Sequence, residues 1–294
     1  MATAALLTLG ICAGPVGAQH SEGCGREAPD ELDRRVVWFP AGTLFCPILA
    51  DRRETVSYLG AVDFSAPWVG TTVAMTAIGD HIPLIRVPLG TGGDGLQVSI
   101  AAAVIGLFDL DVSTFDLLNA DFLVGLPVAL RWGDWSGRLR LYHWSSHIGD
   151  EFLLREPAPV VREEISLEAL ELVLARNIGP LRVVGGGEWW LQRVPNDLPV
   201  AVGVLGVEVR SPGKLHLGER LVLRGRAGGH LRWSEVESGP SASLRAGLEF
   251  GRGGVGWGPE RRVGVMFEWF DGASPYGQFF RDDLRFAGIS LYFN

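Results

Sequence analysis

From about residue 55 onward, apolar and polar positions alternate along the chain in segments of roughly a dozen residues. In the stretch 243–250, Leu244, Ala246, Leu248 and Phe250 fall on one side of an extended backbone, while Ser243, Arg245, Gly247 and Glu249 fall on the other. Successive side chains of a strand point to opposite faces, so a period of two predicts strand. The same split sets Val263, Val265, Phe267 and Trp269 against Arg262, Gly264, Met266 and Glu268. It also sets Leu221, Leu223, Ala227 and Leu231 against Arg220, Arg224, Arg226, His230 and Arg232. Turn-forming clusters separate the segments, among them 90–95, Gly133-Asp134, 177–180, 211–214 and 251–254. The pattern predicts about twelve strands, near 55–64, 70–88, 95–108, 119–132, 135–148, 164–176, 180–192, 199–210, 219–232, 241–251, 260–270 and 282–293.

An antiparallel sandwich in water would show the same alternation. Two features point to lipid instead. Aromatic residues gather near strand ends (Trp132, Trp135, Trp189, Trp190, Trp233, Trp269, Tyr292), as interface girdles do. The last strand puts Ala287, Ile289, Leu291 and Phe293 on one face, which resembles the terminal strand taken up by the barrel-insertion machinery, with Asn294 following. The most apolar stretch, 96–110, is interrupted by Gln97, Ser99 and Asp109 and is too short for a spanning helix. The expectation is an all-β fold, a single transmembrane antiparallel barrel in the outer membrane. An even strand number puts both termini in the periplasm, the connections 149–163 and 271–281 outside the cell, and 133–134 and 177–179 in the periplasm.

The first residues read as an export signal. Ala4 to Ala13 is apolar and Val16-Gly17-Ala18 offers a cleavage site, giving a signal peptide 1–18. A loosely packed periplasmic arm is expected over 19–53, with the barrel over 54–294. Cys12 leaves with the signal; Cys24 and Cys46 remain as a disulfide or as two free thiols, and Ser21 breaks the lipid-attachment pattern. The net charge is −8, so no basic face is expected for a nucleic acid.

Three stretches resemble one family. They are Asp116 to Phe122 followed by Val124-Gly125-Leu126-Pro127; Arg138 to Glu151, which includes Tyr142-His143-Trp144-Ser145-Ser146-His147; and Ser274-Pro275-Tyr276-Gly277-Gln278-Phe279. Together they resemble the proteins grouped as domain of unknown function 1207. That resemblance implies an exported outer-membrane barrel and no established activity.

The strand 135–148 carries the most chemistry. His143, Ser145 and His147 share a face with Leu139 and Leu141, the lipid side, and Tyr142 shares the other with Arg138 and Arg140. An imidazole two residues from a hydroxyl on one strand face can act as its base in acyl transfer. The arrangement is similar to the sites of outer-membrane phospholipases and lipid A deacylases, in which a third polar group orients the imidazole. Glu171 is the expected third residue, with Glu168 and the loop residue Glu151 as alternatives. Arg138, Arg140, Glu188, Glu208, Arg224, Arg226, Arg245, Glu249, Glu268 and Arg285 are expected to face the lumen, either filling it with ion pairs or lining a narrow channel. The acidic run Asp109, Asp111, Asp116, Asp121 matches no calcium loop and reads as a solvated extracellular loop; no metal and no cofactor is expected. Three functions follow: a structural barrel with a plugged lumen, a hydrolase acting on outer-membrane lipid, and a channel for small solutes.

Overall fold

A computed structural model of the chain describes residues 36–66, 68–90, 93–155, 160–218, 221–252 and 262–293. Twelve antiparallel strands form the wall. They are β1 (Ser57–Ser65), β2 (Thr72–Pro88), β3 (Gly95–Asp109), β4 (Leu117–Trp132), β5 (Trp135–Ile148), β6 (Ile165–Ile178), β7 (Leu181–Val194), β8 (Ala201–Arg210), β9 (Leu221–Ser234), β10 (Ser241–Arg252), β11 (Val263–Ala273) and β12 (Asp283–Phe293). Each pairs with its sequence neighbours, and β12 closes the wall on β1 through Phe293↔Ser57 and Ile289↔Ala61. Closure leaves no edge strand running the length of the wall. Two short strands lie outside this ring: Val37–Trp38 on the end of β2, and Leu215–Leu217 on β9. The strands are staggered: followed from partner to partner around the wall, Pro88 at one end of β2 leads back to Phe64, which bonds Thr71 at the other end. Such stagger tilts the strands against the barrel axis.

The alternation read from the sequence is the alternation of the wall. Leu126, Leu130, Leu139, Leu141, Leu172, Leu174, Val207, Phe267, Ile289 and Leu291 are exposed on the outside, while Arg138, Arg140, Glu188, Arg245 and Glu268 are buried inside. A continuous apolar exterior of this extent is unstable in water and is what a bilayer solvates. Trp132 and Trp135 flank the tight turn between β4 and β5, and Arg176 stacks on Trp135 at 5.2 Å. That rim, where the strand β12 ends, is called proximal below, and the opposite rim distal.

The expectation of a loose arm does not hold for its described part. Residues 44–56 enter the lumen and are buried there, Cys46 only in part. Leu44, Phe45, Ile48 and Leu49 supply apolar bulk. Two of the charged triplet beyond them meet opposite charge on the wall: Arg52 Nη1 lies 2.6 Å from Glu268 Oε2, and Glu54 accepts from Arg138 Nη1 at 2.8 Å. Wall side chains also grip the backbone, with Leu49 N donating to Glu208 at 2.7 Å and Arg245 donating to Leu49 O at 2.9 Å. A buried charge is tolerated only with a partner, so the wall's arginines and glutamates and the segment's own require each other.

The distal rim is closed by the connection after β11. Trp68 stacks on Phe279 at 3.7 Å and donates to Asp282 at 3.0 Å, and Phe152 meets the same Phe279 edge-on. A Cβ on Gly277 would lie 2.3 Å from that of Ser146, so only glycine lets this loop descend onto β5. Gly277 N bonds Asp121, and Gln278 bridges Ser146 O at 2.9 Å and Glu163 O at 3.0 Å. The three stretches that carried the family resemblance therefore meet here, with Asn119, Asp121 and Ser146 of the wall holding Gly277 and Gln278 of the cap.

Burial alone would raise the Glu54 carboxyl, but Arg138, His81 and Arg140 around it hold it well below the usual carboxylate range. A depressed folded-state value means that this stability is present above the ordinary carboxylate range, about 4.3, and is lost as pH falls through the folded value. Thermal unfolding in detergent, followed by heat-modifiable gel migration, is expected to drop on acidification well below pH 4. The drop should be smaller in Glu54→Gln, which starts less stable at pH 7. Equal acid sensitivity in both proteins would refute the role of Glu54.

Candidate active site on the outer wall

The β5–β6 register places His143 opposite Glu168 and Ser145 opposite Ser166. Odd-numbered residues of β5 and even-numbered residues of β6 point outward, so all four share the exterior face. His143 Nδ1 and Glu168 Oε1 are 3.0 Å apart. Their side chains are 43% and 41% exposed, so the pair is open to the surroundings of the barrel. A carboxylate can only accept, so this bond requires the proton on Nδ1 and leaves Nε2 of the neutral ring with its lone pair. Ser145 is the next outward residue toward the distal rim, partly exposed. Val124 of β4 lies beside His143, and toward the proximal rim the same face continues as Leu141 and Leu139 on β5, Leu170 and Leu172 on β6, and Leu126 on β4. Phe122 faces the edge of His147 with ring centroids 5.6 Å apart.

Glu171 is not the orienting carboxylate. Three residues along a strand from Glu168, it points to the opposite face. It lies in the lumen, opposite Arg140, and accepts from Arg138 Nε at 2.7 Å. Glu151 lies exposed in the short distal helix Asp150–Leu153. Glu168, carried in the sequence reading only as an alternative, is the residue brought to His143.

Inside, the expected lumen residues form pairs. Arg245 meets Glu268 at 2.8 Å, Arg226 meets Glu249 at 2.6 Å and Glu208 at 3.3 Å, and Glu188 takes Arg232 at 2.8 Å, Tyr142 OH at 2.6 Å and Trp190 Nε1 at 2.9 Å. Arg224 faces inward near the proximal mouth, opposite Glu249. Arg285 is a correction. It shares the outward parity of Ile289 and Leu291 and pairs with Asp271 at 2.6 Å on the exterior near the distal rim. Sequence reading missed Arg52, Arg53 and Glu54, because they precede the first strand. Arg53 lies over Trp144 at 4.5 Å and Trp190 at 5.4 Å.

The acidic run is divided. Asp109 and Asp116 are drawn together by Arg155, at 2.9 and 2.7 Å, and Asp121 faces inward beneath the cap. Hydrogen bonds from Thr114 and then Arg155 hold the Asp116 carboxyl below its usual range. Cys46 is disulfide-bonded; Cys24, Cys12 and the signal region lie outside the described residues.

With this geometry set out, comparison with other proteins decides the family. The family described as a protein of unknown function, DUF1207, matches residues 30–294, nearly the whole chain. The chain belongs to the DUF1207 family. None of the curated proteins matches it. Among solved structures, this DUF1207 barrel is similar to the outer membrane phospholipase of Salmonella typhi, crystallised as a dimer with bound calcium. Identity is 13%, TM-score 0.53, and the match covers 82% of this chain and 90% of that one. Outer membrane phospholipase A from Escherichia coli gives the same values. An active-site asparagine mutant of that enzyme gives 13% identity, TM-score 0.54 and coverage of 86% and 93%. At such identity the likeness establishes the fold of the DUF1207 chain as that of outer-membrane barrels.

Proposed function

We propose that this DUF1207 protein is an exported outer-membrane barrel with a closed lumen that hydrolyses an acyl ester of outer-leaflet lipid on its outer wall. Ser145 is the nucleophile, His143 the base and Glu168 the orienting carboxylate. The observation that carries this reading is the bond between His143 Nδ1 and Glu168 on a lipid-facing surface. Polar groups facing hydrocarbon are costly, and this pair points Nε2 away from the carboxylate, on the face that carries Ser145.

Depth supports it as well. On β6, Glu168 and Arg176 bracket the outward Leu170, Leu172 and Leu174. Eight residues of tilted strand rise roughly 20 Å, close to the height of an outer-membrane apolar band. The pair therefore lies at the edge of the hydrocarbon, where acyl esters join headgroups. In the reaction, Ser145 Oγ attacks the ester carbonyl as Nε2 takes its proton, and the imidazolium formed is stabilised by Glu168. The proton then passes to the departing alcohol, and water, activated by the same nitrogen, releases the fatty acid and restores Ser145. The barrels it resembles include phospholipases that act on phospholipid, which makes a lipid ester the substrate class to test first. A channel is disfavoured by the filling of the lumen by residues 44–56.

A fluorophosphonate probe tests the nucleophile directly. Loss of fluoride with formation of an Oγ–P bond is expected at Ser145, read as a mass increase on its peptide. The rate should fall about 10²–10⁴-fold in His143→Ala. Labelling of the folded barrel elsewhere, or not at all, would refute the assignment.

A further inference from the structure

Two strands round from the His143 face, the outer wall is hollowed. The registers of β7, β8 and β9 place Gly187 opposite Gly203 and Gly203 opposite Trp233, with Trp189 opposite Ala201 one step nearer the distal rim. These positions point outward. Side chains missing at the two glycines leave a groove of about 450 Å³ lined by Gly187, Trp189, Ala201, Gly203, Trp233 and Glu235. Its form is built in. A Cβ on Gly203 would lie 2.3 Å from the Trp233 ring, so the indole rests on bare backbone. A Cβ on Gly187 would come within 2.9 Å of Val202 O. The result is a backbone floor between two large aromatic side chains, within the size range of ligand sites.

The distal end of the groove is polar and fixed. The Glu235 carboxylate accepts from the amides of Val200 and Ala201, which tie it across the β7–β8 connection to the groove's own wall. Those bonds, the Val200 one foremost, and the nearby Arg193 guanidinium hold it below the usual carboxylate range. A fixed negative group thus stands at the polar end of an apolar slot. Tryptophan suits this depth, because its ring body is apolar and its N–H polar.

We propose that this groove is a binding site for one molecule of a zwitterionic aminophospholipid, with an acyl chain along Gly187 between the two tryptophans and the headgroup at Glu235. The headgroup's ammonium is complementary to the Glu235 carboxylate. The exterior apolar wall means that hydrocarbon covers the groove; the Glu235 carboxylate selects the lipid that stays. The inference rests on the placement of the barrel in a bilayer proposed above and not on the hydrolytic chemistry.

Native mass spectrometry of the full barrel in detergent tests it, with palmitoyl-oleoyl phosphatidylethanolamine and the matching phosphatidylglycerol added at equal concentration. One phosphatidylethanolamine is expected to remain bound at collision energies that remove phosphatidylglycerol. Ala201→Leu, which fills the groove from an exposed position, should reduce retention at least tenfold, and Glu235→Gln should abolish the preference between the two lipids. Heat-modifiable migration confirms that each variant is folded. Equal retention by wild type and Ala201→Leu, or equal retention of both lipids by wild type, would overturn the proposal. Ser145→Ala should bind like wild type, so loss of hydrolysis and loss of binding are read separately.

Discussion

Removing the arm through Glu54, so that the mature chain begins at Thr55, is expected to turn a silent barrel into a conducting one. In planar bilayers the wild type should give a flat baseline and the truncated protein discrete single-channel steps. Leu44, Phe45, Ile48 and Leu49 occupy the lumen, and their removal leaves a bore lined by Arg138, Arg140, Arg182, Glu208, Arg226 and Glu268. A twelve-stranded wall is wider than the eight-stranded barrels that side chains alone fill. Water entering the bore would hydrate the charges released from Arg52 and Glu54, and the wall would stand, since the arm's backbone bonds to the ladder are confined, among the described residues, to Val37, Trp38 and Phe39 at the end of β2. A point change has the opposite profile. Glu54→Ala keeps the apolar filling, so the barrel stays silent, but it leaves Arg138 and Arg140 short of a carboxylate in a dry site, at a cost of about 3–5 kcal/mol. Stable ohmic currents from the wild type would contradict the closed lumen.

Ser145→Ala is expected to lower ester hydrolysis by purified protein at least about 10³-fold, and His143→Ala by a similar factor, because members of one catalytic unit fail together. Glu168→Gln should fall less far, since an amide still accepts from Nδ1 but does not stabilise the imidazolium. Glu171→Gln separates this site from the lumen. It weakens the carboxylate held by Arg138 and Arg140, so it should lower the unfolding temperature while leaving turnover of the remaining folded protein unchanged. Assays on a dispersed phospholipid, with folded protein quantified by gel migration, read both. If Glu171→Gln abolished turnover and Glu168→Gln left it intact, the exterior assignment would be wrong.

The wall was legible because its signal is local. Each strand repeats a period of two, the turns are marked by glycine, proline and asparagine, and the terminal Ala287–Phe293 alternation fixes the final face. The arm was not, because what residues 44–54 do depends on a cavity that exists only once twelve strands have closed around them. The apolar run Leu44 to Ala50 and the charged triplet Arg52-Arg53-Glu54 were visible, but nothing local distinguishes a plug from a linker. Sequence alone does not separate Glu168 from Glu171, because both lie on β6 and only register decides; the pairing His143↔Glu168 and strand parity separate them. The charge of Arg285 predicts an inward side chain, but its position shares the parity of the outward Ile289 and Leu291. In β12, position beyond the apolar band lets charge face out, and Asp271 on β11 provides its partner.

The most direct measurement of the central claim is mass spectrometry of total phospholipids and lipid A from cells expressing the wild type, Ser145→Ala, His143→Ala or an empty vector, with equal amounts of heat-modifiable barrel in the membrane. Loss of one acyl chain from a single lipid class, with the matching free fatty acid, is expected in wild-type cells alone. Identical lipid profiles in all four strains, or the same loss in both variants, would contradict a hydrolase built on His143 and Ser145.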